Sequence, residues 1–398
     1  MGSSVRKMVG LGVSAIVSMT LGTAAWSAPI NLDAATIAAL DAAVQQGVRE
    51  GNTVGVAVGI MSEGKLIFAS NHGFGNLETR TPVTPDTVFR IASVTKQFTA
   101  ASILLLSERR QLSLDDRLSK FLPAFPNAHR VTIRQLLNHT AGLKDYAGVP
   151  EYWMSRSLRE TSTEEFVQFI AGLSPQFDFE PGTGYNYSNS GYYLLGAVIE
   201  KVTGKPYGDF YKTELFDKAG MTNTAVDASS DIVPNRASGY ERDQTSKAMR
   251  NAPHIAMSTV GANGSLRSTV NDLLRWNEAL LGGRILRRES LKAMLSPGRL
   301  SNGAISSSAP GGKAPAAQPG AKAPKEPEFD YGYGMNLGQQ QTFRTVWHEG
   351  GIHGFRSSVA SFPDQKLSIV FLTNTGAGVA NVPKAVTEII LKHLRPTR

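Results

Sequence analysis

Segments with the pattern of β-strands lie near both ends of this 398-residue chain, and segments with the pattern of helices fill its middle. Two strand-like runs near the amino end, 54–61 and 65–70, are separated by a turn, and further runs occupy 331–374. Apolar residues at helical spacing mark 31–50 before the first strand and 382–394 after the last. The simplest assembly is one antiparallel sheet built from both ends of the chain.

The predicted fold class is therefore α+β. Terminal helices flank the antiparallel sheet, and a mostly helical lobe of about residues 92–295 is inserted into the chain. A segment of about residues 298–328 is rich in Ala, Pro, Gly, Ser and Lys and almost lacks large apolar side chains. We expect a flexible insertion there. Composition leaves open whether this insertion is idle or forms a lid over a site.

Residues 1–27 have the pattern of a secretory signal peptide. Two basic residues precede an apolar run, 8–25, and the small residues Ala25 and Ser27 fit cleavage after Ser27. This interpretation makes 28–398 the mature chain, which is exported to the periplasm or secreted and has no membrane span once the leader is removed. An uncleaved anchor is the alternative, because the apolar run is about long enough to cross a bilayer.

Charge and cysteine content argue against several classes of function. The formal net charge is +8 at pH 7, but the basic residues are scattered, so we expect no nucleic-acid partner. The chain has no cysteine, which excludes disulfides, thiolate metal sites and a cysteine nucleophile. A zinc-protease motif beginning at His348 would need a second histidine where Ile352 stands. We therefore expect neither a metal ion nor another cofactor.

A Ser-x-x-Lys pattern, formed by Ser93 and Lys96, lies in an apolar stretch. Side chains three residues apart on a helix share one face and lie about one turn apart. A serine hydroxyl becomes nucleophilic when a base takes its proton, and a lysine can be that base where burial lowers its pKa. The neighbours Phe89, Ile91 and Phe98 can supply this burial. The pattern alone is weak, because Ser93 can also be a helix cap.

Two further motifs follow along the chain. Tyr187 and Asn189 form a Tyr-x-Asn motif just before a helical segment. A His-Glu-Gly triplet at 348–350 is followed by Gly351 at the end of a strand-like run. Taken alone, Tyr187 and Asn189 have a structural explanation, since asparagine is a common helix cap. The ordered set of three motifs is far more specific than any one of them.

With these motifs the chain resembles the serine β-lactamase and penicillin-binding-protein-like superfamily, in the branch of class C β-lactamases, D-aminopeptidases and family VIII esterases. The likeness covers Leu40 to His393 outside the insertion and includes 87–97, 136–143 and 261–265. It implies a β-lactamase/transpeptidase-like fold and an exported serine hydrolase that cleaves an ester or amide through an acyl-enzyme on Ser93. The implied substrate is a small ester or a D-amino-acid peptide, with cell-wall peptidoglycan as a candidate partner.

The resemblance also implies a catalytic role for each residue of the first two motifs. Ser93 attacks a carbonyl carbon, while Lys96 and Tyr187 take and return its proton as general base and acid. Asn189 hydrogen-bonds the Lys96 side chain or the substrate amide. The sequence leaves open which of Lys96 and Tyr187 is the base.

The third motif is implied to complete the oxyanion and substrate-binding site. The backbone N–H groups of Ser93 and Gly351 form the oxyanion hole, and His348 and Gly350 lie beside it. Many β-lactamases carry Lys-Thr-Gly where this chain has His-Glu-Gly, and histidine is mostly neutral at pH 7. Ester or amide hydrolysis is therefore favoured over efficient β-lactamase activity. β-Lactamase or DD-peptidase activity and a catalytically idle module that binds cell-wall peptides are the alternatives.

Overall fold

The computed structural model describes residues 30–50, 53–243, 245–308, 329–376 and 381–394. The strands within these ranges are β1 Gly55–Ser62, β2 Lys65–Asn76, β3 Thr81–Pro82, β4 Phe89–Arg90, β5 Ala225–Val226, β6 Tyr240–Arg242, β7 Met249–Asn251, β8 Leu266–Ser268, β9 Asp330–Tyr331, β10 Asn336–Gln340, β11 Phe343–Ile352, β12 Phe355–Phe362 and β13 Leu367–Thr373. The α-helices are α1 Ala34–Arg49, α2 Thr95–Glu108, α3 Ile133–Leu137, α4 Pro150–Met154, α5 Thr163–Ala171, α6 Asn189–Thr203, α7 Tyr207–Tyr211, α8 Asp217–Ala219, α9 Met257–Val260, α10 Val270–Leu281, α11 Arg288–Met294 and α12 Asn381–His393.

The predicted antiparallel sheet built from both ends of the chain is confirmed. Eight of the described strands form it in the order β3-β2-β1-β13-β12-β11-β10-β9. Strand β1 from the amino end lies directly beside β13 from the carboxyl end, with Val56 opposite Thr373 and Ser62 opposite Leu367. The two ends of the chain therefore meet in the middle of the sheet, and the helical lobe comes from the sequence between them.

Alternation along the two central strands gives the sheet two apolar faces. Val58 on β1 and Phe371 on β13 are buried in a cluster that also contains residues of α1 and α12. Ala57 and Leu372, their neighbours in sequence, belong to the larger core on the opposite face. The terminal helices therefore cover one face of the sheet, as predicted, and the helical lobe covers the other.

Helix α10 lies directly on the lobe side of the sheet. A Cβ atom on Gly59 would lie 2.4 Å from a methyl group of Val270, so glycine permits this close approach. Apolar spacing in the sequence predicts a helix over about Val270 to Leu281 after a cap at Ser268 or Thr269, and the structure has these bounds. Thr269 caps it by accepting a hydrogen bond from the backbone N–H of Asp272 at 3.2 Å.

Helix α2 runs through the centre of the lobe, and all of its residues from Thr95 to Leu106 are buried. Phe98 stacks on Trp276 of α10 with ring centroids 4.1 Å apart. The Trp276 indole N–H donates to the Gln97 side-chain oxygen at 2.9 Å. Because α6 packs against α2 as well, the start of α2 is held within the lobe.

Two predicted segments fall wholly or partly outside the described residues, namely the leader 1–27 and residues 309–328 of the insertion. Residues 298–308 of the same insertion are described, and several of their backbone groups are paired. The N–H of Gly298 donates to the carbonyl of Tyr331 at 2.8 Å. This bond joins the described part of the insertion to β9. No helix within the described ranges is both long and apolar enough to cross a membrane.

Candidate active site

Ser93 lies on a short 3-10 turn, Ala92–Val94, that leads into α2. The α-helix therefore begins at Thr95, two residues later than a helix starting at Ser93. Ala92 has a φ angle of +46°, in the left-handed region that disfavours residues with a Cβ. Such strain persists where the surroundings fix it, and Ala92 is buried.

Lys96, in the first turn of α2, is completely buried and directs its Nζ atom at three oxygen atoms. Nζ lies 3.2 Å from Ser93 Oγ, 2.9 Å from Asn189 Oδ1 and 2.9 Å from the carbonyl oxygen of Asn263. Burial lowers the pKa of Lys96 to about 7, against the opposing effect of the Asp145 carboxylate. A neutral amine has two N–H donors and one lone pair. The two amide oxygens accept the donors, which leaves the lone pair for the Ser93 hydroxyl.

The ring of Tyr187 lies over the same amine, with 4.7 Å between Lys96 Nζ and the ring centroid. Its side chain also interacts with that of Ser93. Burial raises the pKa of Tyr187 far above the usual value, and the interaction with Ser93 opposes that rise. Tyr187 is therefore a neutral phenol at physiological pH, which can relay a proton but is not a phenolate base.

Asn189, the first residue of α6, is held by a carboxylate that the sequence analysis missed. Asp145 accepts hydrogen bonds from the backbone N–H of Asn189 at 3.0 Å and from its Nδ2 at 3.1 Å. These bonds orient the amide so that its Oδ1 faces Lys96. Burial raises the pKa of Asp145, while the bonds from Asn189 and the charge of Lys96 oppose the shift. Its only sequence signal is its place two residues after the segment 136–143.

Aromatic side chains form a wall behind Tyr187. Tyr185, Tyr187 and Tyr331 are buried together, and the His139 ring lies 4.3 Å from that of Tyr187 between centroids. His139 Nδ1 accepts a hydrogen bond from the backbone N–H of Ser188 at 3.1 Å. Burial lowers the pKa of His139 well below its usual value, so the ring is neutral. The wall excludes water from one side of the lysine amine and thereby supports its low pKa.

His348 lies on β11 and is almost completely buried. Its Nδ1 is 2.6 Å from the carbonyl oxygen of Glu349, so this nitrogen carries the proton. Its Nε2 then accepts from the Tyr331 hydroxyl at 3.0 Å. Burial, followed by the charge of Lys96, lowers the pKa of His348 to about 3. A neutral imidazole therefore stands where Lys-Thr-Gly proteins have a fixed cation.

Gly350 brings β11 against the turn that carries the serine. A Cβ atom on Gly350 would lie 2.2 Å from the carbonyl oxygen of Ile91 and 2.3 Å from Ser357 Oγ, so only glycine fits. The Ser357 hydroxyl donates to the same Ile91 carbonyl at 2.7 Å. The end of β11, which includes Gly350 and Gly351, is thus held against Ile91, and Ile91 lies two residues before Ser93 in the chain.

The predicted site residues fall into two groups in the structure. Ser93, Lys96, Tyr187 and Asn189 contact one another within one buried cluster. The residues 348–351 lie on β11 beside this cluster. The centroid of the His348 ring is 6.2 Å from that of the Tyr187 ring. Within the described ranges, no group of three His, Asp or Glu side chains is placed to hold a metal ion.

An antiparallel sheet joined from both chain ends, an inserted helical lobe and this serine–lysine–tyrosine cluster define the β-lactamase/transpeptidase-like class. Residues 40–393 match the family model described as Beta-lactamase. The chain belongs to the Beta-lactamase family.

Curated relatives and solved structures agree with this assignment. The chain is 30% identical to penicillin-binding protein 4* of Bacillus subtilis over 78% of this chain and 66% of that protein. It is 27% identical to a D-aminopeptidase of Brucella anthropi over 89% of this chain and 62% of that protein. The chain therefore spans less than two thirds of the length of these relatives. A structure of D-amino acid amidase from Ochrobactrum anthropi SV3 with D-phenylalanine has a TM-score of 0.75 at 26% identity, covering 90% of this chain and 99% of that one.

Proposed function

We propose that this protein is a serine hydrolase that cleaves an ester or amide bond through an acyl-enzyme on Ser93. The observation that carries the proposal is the 3.2 Å contact between Lys96 Nζ and Ser93 Oγ, together with a lysine pKa lowered to about 7. About half of such a lysine is a neutral base at pH 7, whereas a lysine with an ordinary pKa of about 10.4 is almost entirely protonated.

Acylation begins when Ser93 Oγ attacks the carbonyl carbon and its proton passes to Lys96 Nζ. Lys96 is the better base of the two candidates, because burial raises the pKa of Tyr187 and keeps it protonated. Tyr187 instead passes its hydroxyl proton to the leaving group and is reprotonated from the lysine. Asn189 and Asp145 hold the lysine amine in place during both transfers.

Charge develops on the carbonyl oxygen during the attack and again when water hydrolyses the acyl-enzyme. The backbone N–H groups of Ser93 and Gly351 are the proposed donors to this oxyanion, and each such donor contributes about 3 kcal/mol to transition-state stabilisation in serine hydrolases. The close contact between Gly350 and the Ile91 carbonyl supports this assignment, because it keeps the strand that carries Gly351 beside the turn that carries Ser93.

For the substrate class we propose small esters and amides or peptides of D-amino acids. The names of two relatives support it, a D-aminopeptidase and a D-amino acid amidase. The neutral His348 provides no fixed cation for a carboxylate at the position where β-lactam and peptide-terminus recognition uses lysine. β-Lactam or DD-peptide hydrolysis is the competing function.

The test uses intact-protein mass after incubation with a fluorophosphonate, with wild type, Ser93→Ala and Ser229→Ala compared. Ser229 is exposed and serves as the matched serine control. We expect one adduct on wild type and on Ser229→Ala, and none on Ser93→Ala. Turnover of esters, D- and L-amino acid amides and β-lactams follows with the same three proteins. An adduct that persists on Ser93→Ala, or equal ester turnover by that variant, contradicts the proposal.

We further propose that residues 1–27 direct export, so that the hydrolase acts in the periplasm or outside the cell on peptides such as those of peptidoglycan. The charged start and apolar run support export, and the relative named penicillin-binding protein 4* supports a cell-wall substrate. Mass spectrometry of the protein from the periplasmic fraction should give a chain that begins at Ala28. Full-length protein confined to the cytosol would contradict export.

A further inference from the structure

A cavity of about 340 Å³ lies beside the segment that carries Ser93 but is lined by a different set of residues. Three arginines line it, Arg90 from β4, Arg267 from β8 and Arg236 from the loop before β6. None of Ser93, Lys96 and Tyr187 is among its lining residues. The cavity is therefore separate from the proposed catalytic cluster.

The three guanidinium groups converge on one buried carboxylate. Asp227, whose side chain is 1% exposed, accepts from Arg90 Nε at 2.8 Å, from Arg236 Nη2 at 2.8 Å and from Arg267 Nη1 at 3.2 Å. Arg267 also pairs with Asp231, which is 40% exposed and does not line the cavity. Counting arginines and carboxylates, the lining residues carry three positive charges against one negative charge. The cavity is therefore positively charged overall.

The arginines also keep unused hydrogen-bond donors around the cavity. Arg90 donates to Asp227 from its Nε alone, and neither of its Nη atoms has a hydrogen-bond partner among the described residues. Arg236 donates from Nη2 to Asp227 and to the carbonyl of Ala228, and its Nη1 has no hydrogen-bond partner among the described residues. Each guanidinium has five N–H groups in a planar fork that matches the two oxygens of a carboxylate. The unused donors are therefore suited to an oxyanion.

Part of the remaining cavity wall is apolar, which suits an organic ligand, and the other part carries the polar side chains of Ser238, Asn251, His254 and His353. Phe355 is buried, and the Arg90 guanidinium carbon lies 6.0 Å from the centroid of its ring. Pro253 and Ala252 contribute further apolar surface. The volume exceeds that of a bare inorganic oxyanion and is in the range of small-molecule sites.

We propose that this cavity binds the carboxylate group of a small organic acid through Arg90, Arg236 and Arg267. The cavity lies close in sequence to both segments of the proposed catalytic site, since Arg90 precedes Ser93 by three residues and the cavity residue His353 follows Gly351 by two. Binding does not require the catalytic reaction, so the site is independent of the proposed hydrolase function.

The test is calorimetric titration of the Ser93→Ala protein with succinate and, separately, with inorganic phosphate. We expect saturable binding of one succinate per chain that is tighter than the binding of phosphate. The absence of saturable succinate binding overturns the proposal. Phosphate binding as tight as succinate binding also overturns it, because the apolar wall then contributes nothing.

Two variants locate the binding. His254 is exposed, lines the cavity and has no hydrogen bond in the described part of the chain, so His254→Glu adds a carboxylate without removing a contact. We expect it to weaken succinate binding by about tenfold or more through like-charge repulsion. The matched control is His129→Glu, at another exposed histidine, which should bind as the parent does. Arg236→Gln should also weaken binding, with thermal unfolding as a check of its fold. Binding that His254→Glu leaves unchanged, or that His129→Glu weakens equally, overturns the proposal.

Discussion

Two cationic centres lie near the two ends of the segment 89–96, and they differ in how the cation is paired with a buried carboxylate. At one end, Arg90 and two other arginines contact the buried Asp227 carboxylate directly. At the other end, Lys96 is completely buried, and no ion pair joins it to Asp145 in the described structure. The amide of Asn189 lies between that amine and that carboxylate.

The comparison shows two ways in which the fold accommodates a buried cation. Direct pairing with Asp227 offsets the cost of burying the arginine charges. Where Asn189 separates the charges, the attraction of Asp145 is weaker than the cost of desolvation, and the pKa of Lys96 is lowered to about 7. One centre is therefore suited to holding an anion and the other to transferring a proton.

The largest expected effect is on catalysis at the lysine centre. Lys96→Met keeps an unbranched side chain of similar length in the buried slot but removes the base. We expect kcat/KM for an ester substrate to fall by about 10²–10⁴-fold, the usual contribution of a general base. Lys201→Met, at an exposed lysine of α6, is the matched control and should retain the parent value. A loss of less than about threefold in Lys96→Met would show that Lys96 is not the general base, and the functional difference between the two centres would then not hold.

The next effect is on stability at the arginine centre. Asp227→Asn leaves three guanidinium groups without their buried counter-charge, and we expect the free energy of unfolding to fall by about 3 kcal/mol. Asp231→Asn, at a carboxylate that is 40% exposed and pairs with Arg267 alone, should cost less than about 1 kcal/mol. Urea unfolding of the two variants beside wild type measures both values. Equal losses of unfolding free energy at the two positions would show that pairing with three arginines makes Asp227 no more important for stability than Asp231.

A smaller effect, on the pH profile, is expected from Asp145→Asn. The reaction needs neutral Lys96, so wild-type kcat/KM should rise with pH through a midpoint near 7. The Asp145 carboxylate stabilises the ammonium form and raises the pKa of Lys96, so its removal should move this acidic limb to lower pH. The plateau should fall about fivefold, because an amide replaces an oxygen that accepts from Asn189 Nδ2. A limb that moves to higher pH, or does not move, contradicts the effect of the Asp145 charge on the pKa of Lys96, and an unchanged plateau contradicts its role in orienting Asn189.

The smallest effect is expected at His348. The pKa of this histidine is lowered to about 3, so it is neutral throughout the pH range in which Lys96 titrates. His348→Asn should therefore leave the midpoint of the acidic limb where it is in wild type, even if KM changes through the lost bond to Tyr331. The measurement is the same kcat/KM profile between pH 5 and 9. A wild-type limb near pH 6 that disappears in the variant would assign the titration to His348 instead of Lys96.

Local patterns in the sequence predicted most of the elements, because such patterns depend on neighbours within one or two turns. Helix α10 has the bounds that its apolar spacing predicts. The Thr-x-x-Gln pattern of Thr132 and Gln135 predicts a capping box, and the structure contains it. The Ser-x-x-Lys pattern predicts a helix with Ser93 in its first turn, whereas α2 begins at Thr95, after the left-handed Ala92 and a 3-10 turn. The backbone bonds of the loop 298–308 join it to residues distant in the sequence, and composition does not reveal such bonds.

By itself the sequence determined the order of the elements, the pairing of both chain ends in one sheet and the three motifs that the structure brings close together. Only the tertiary structure decided the roles that depend on distant neighbours. Asp145 was recognised through its contacts with Asn189, and the arginine cavity through the convergence of three separate segments on Asp227. The physical reason is that desolvation and charge pairing act through space. The pKa of Lys96 therefore depends on how completely the folded chain surrounds its amine, and local sequence patterns do not predict this burial.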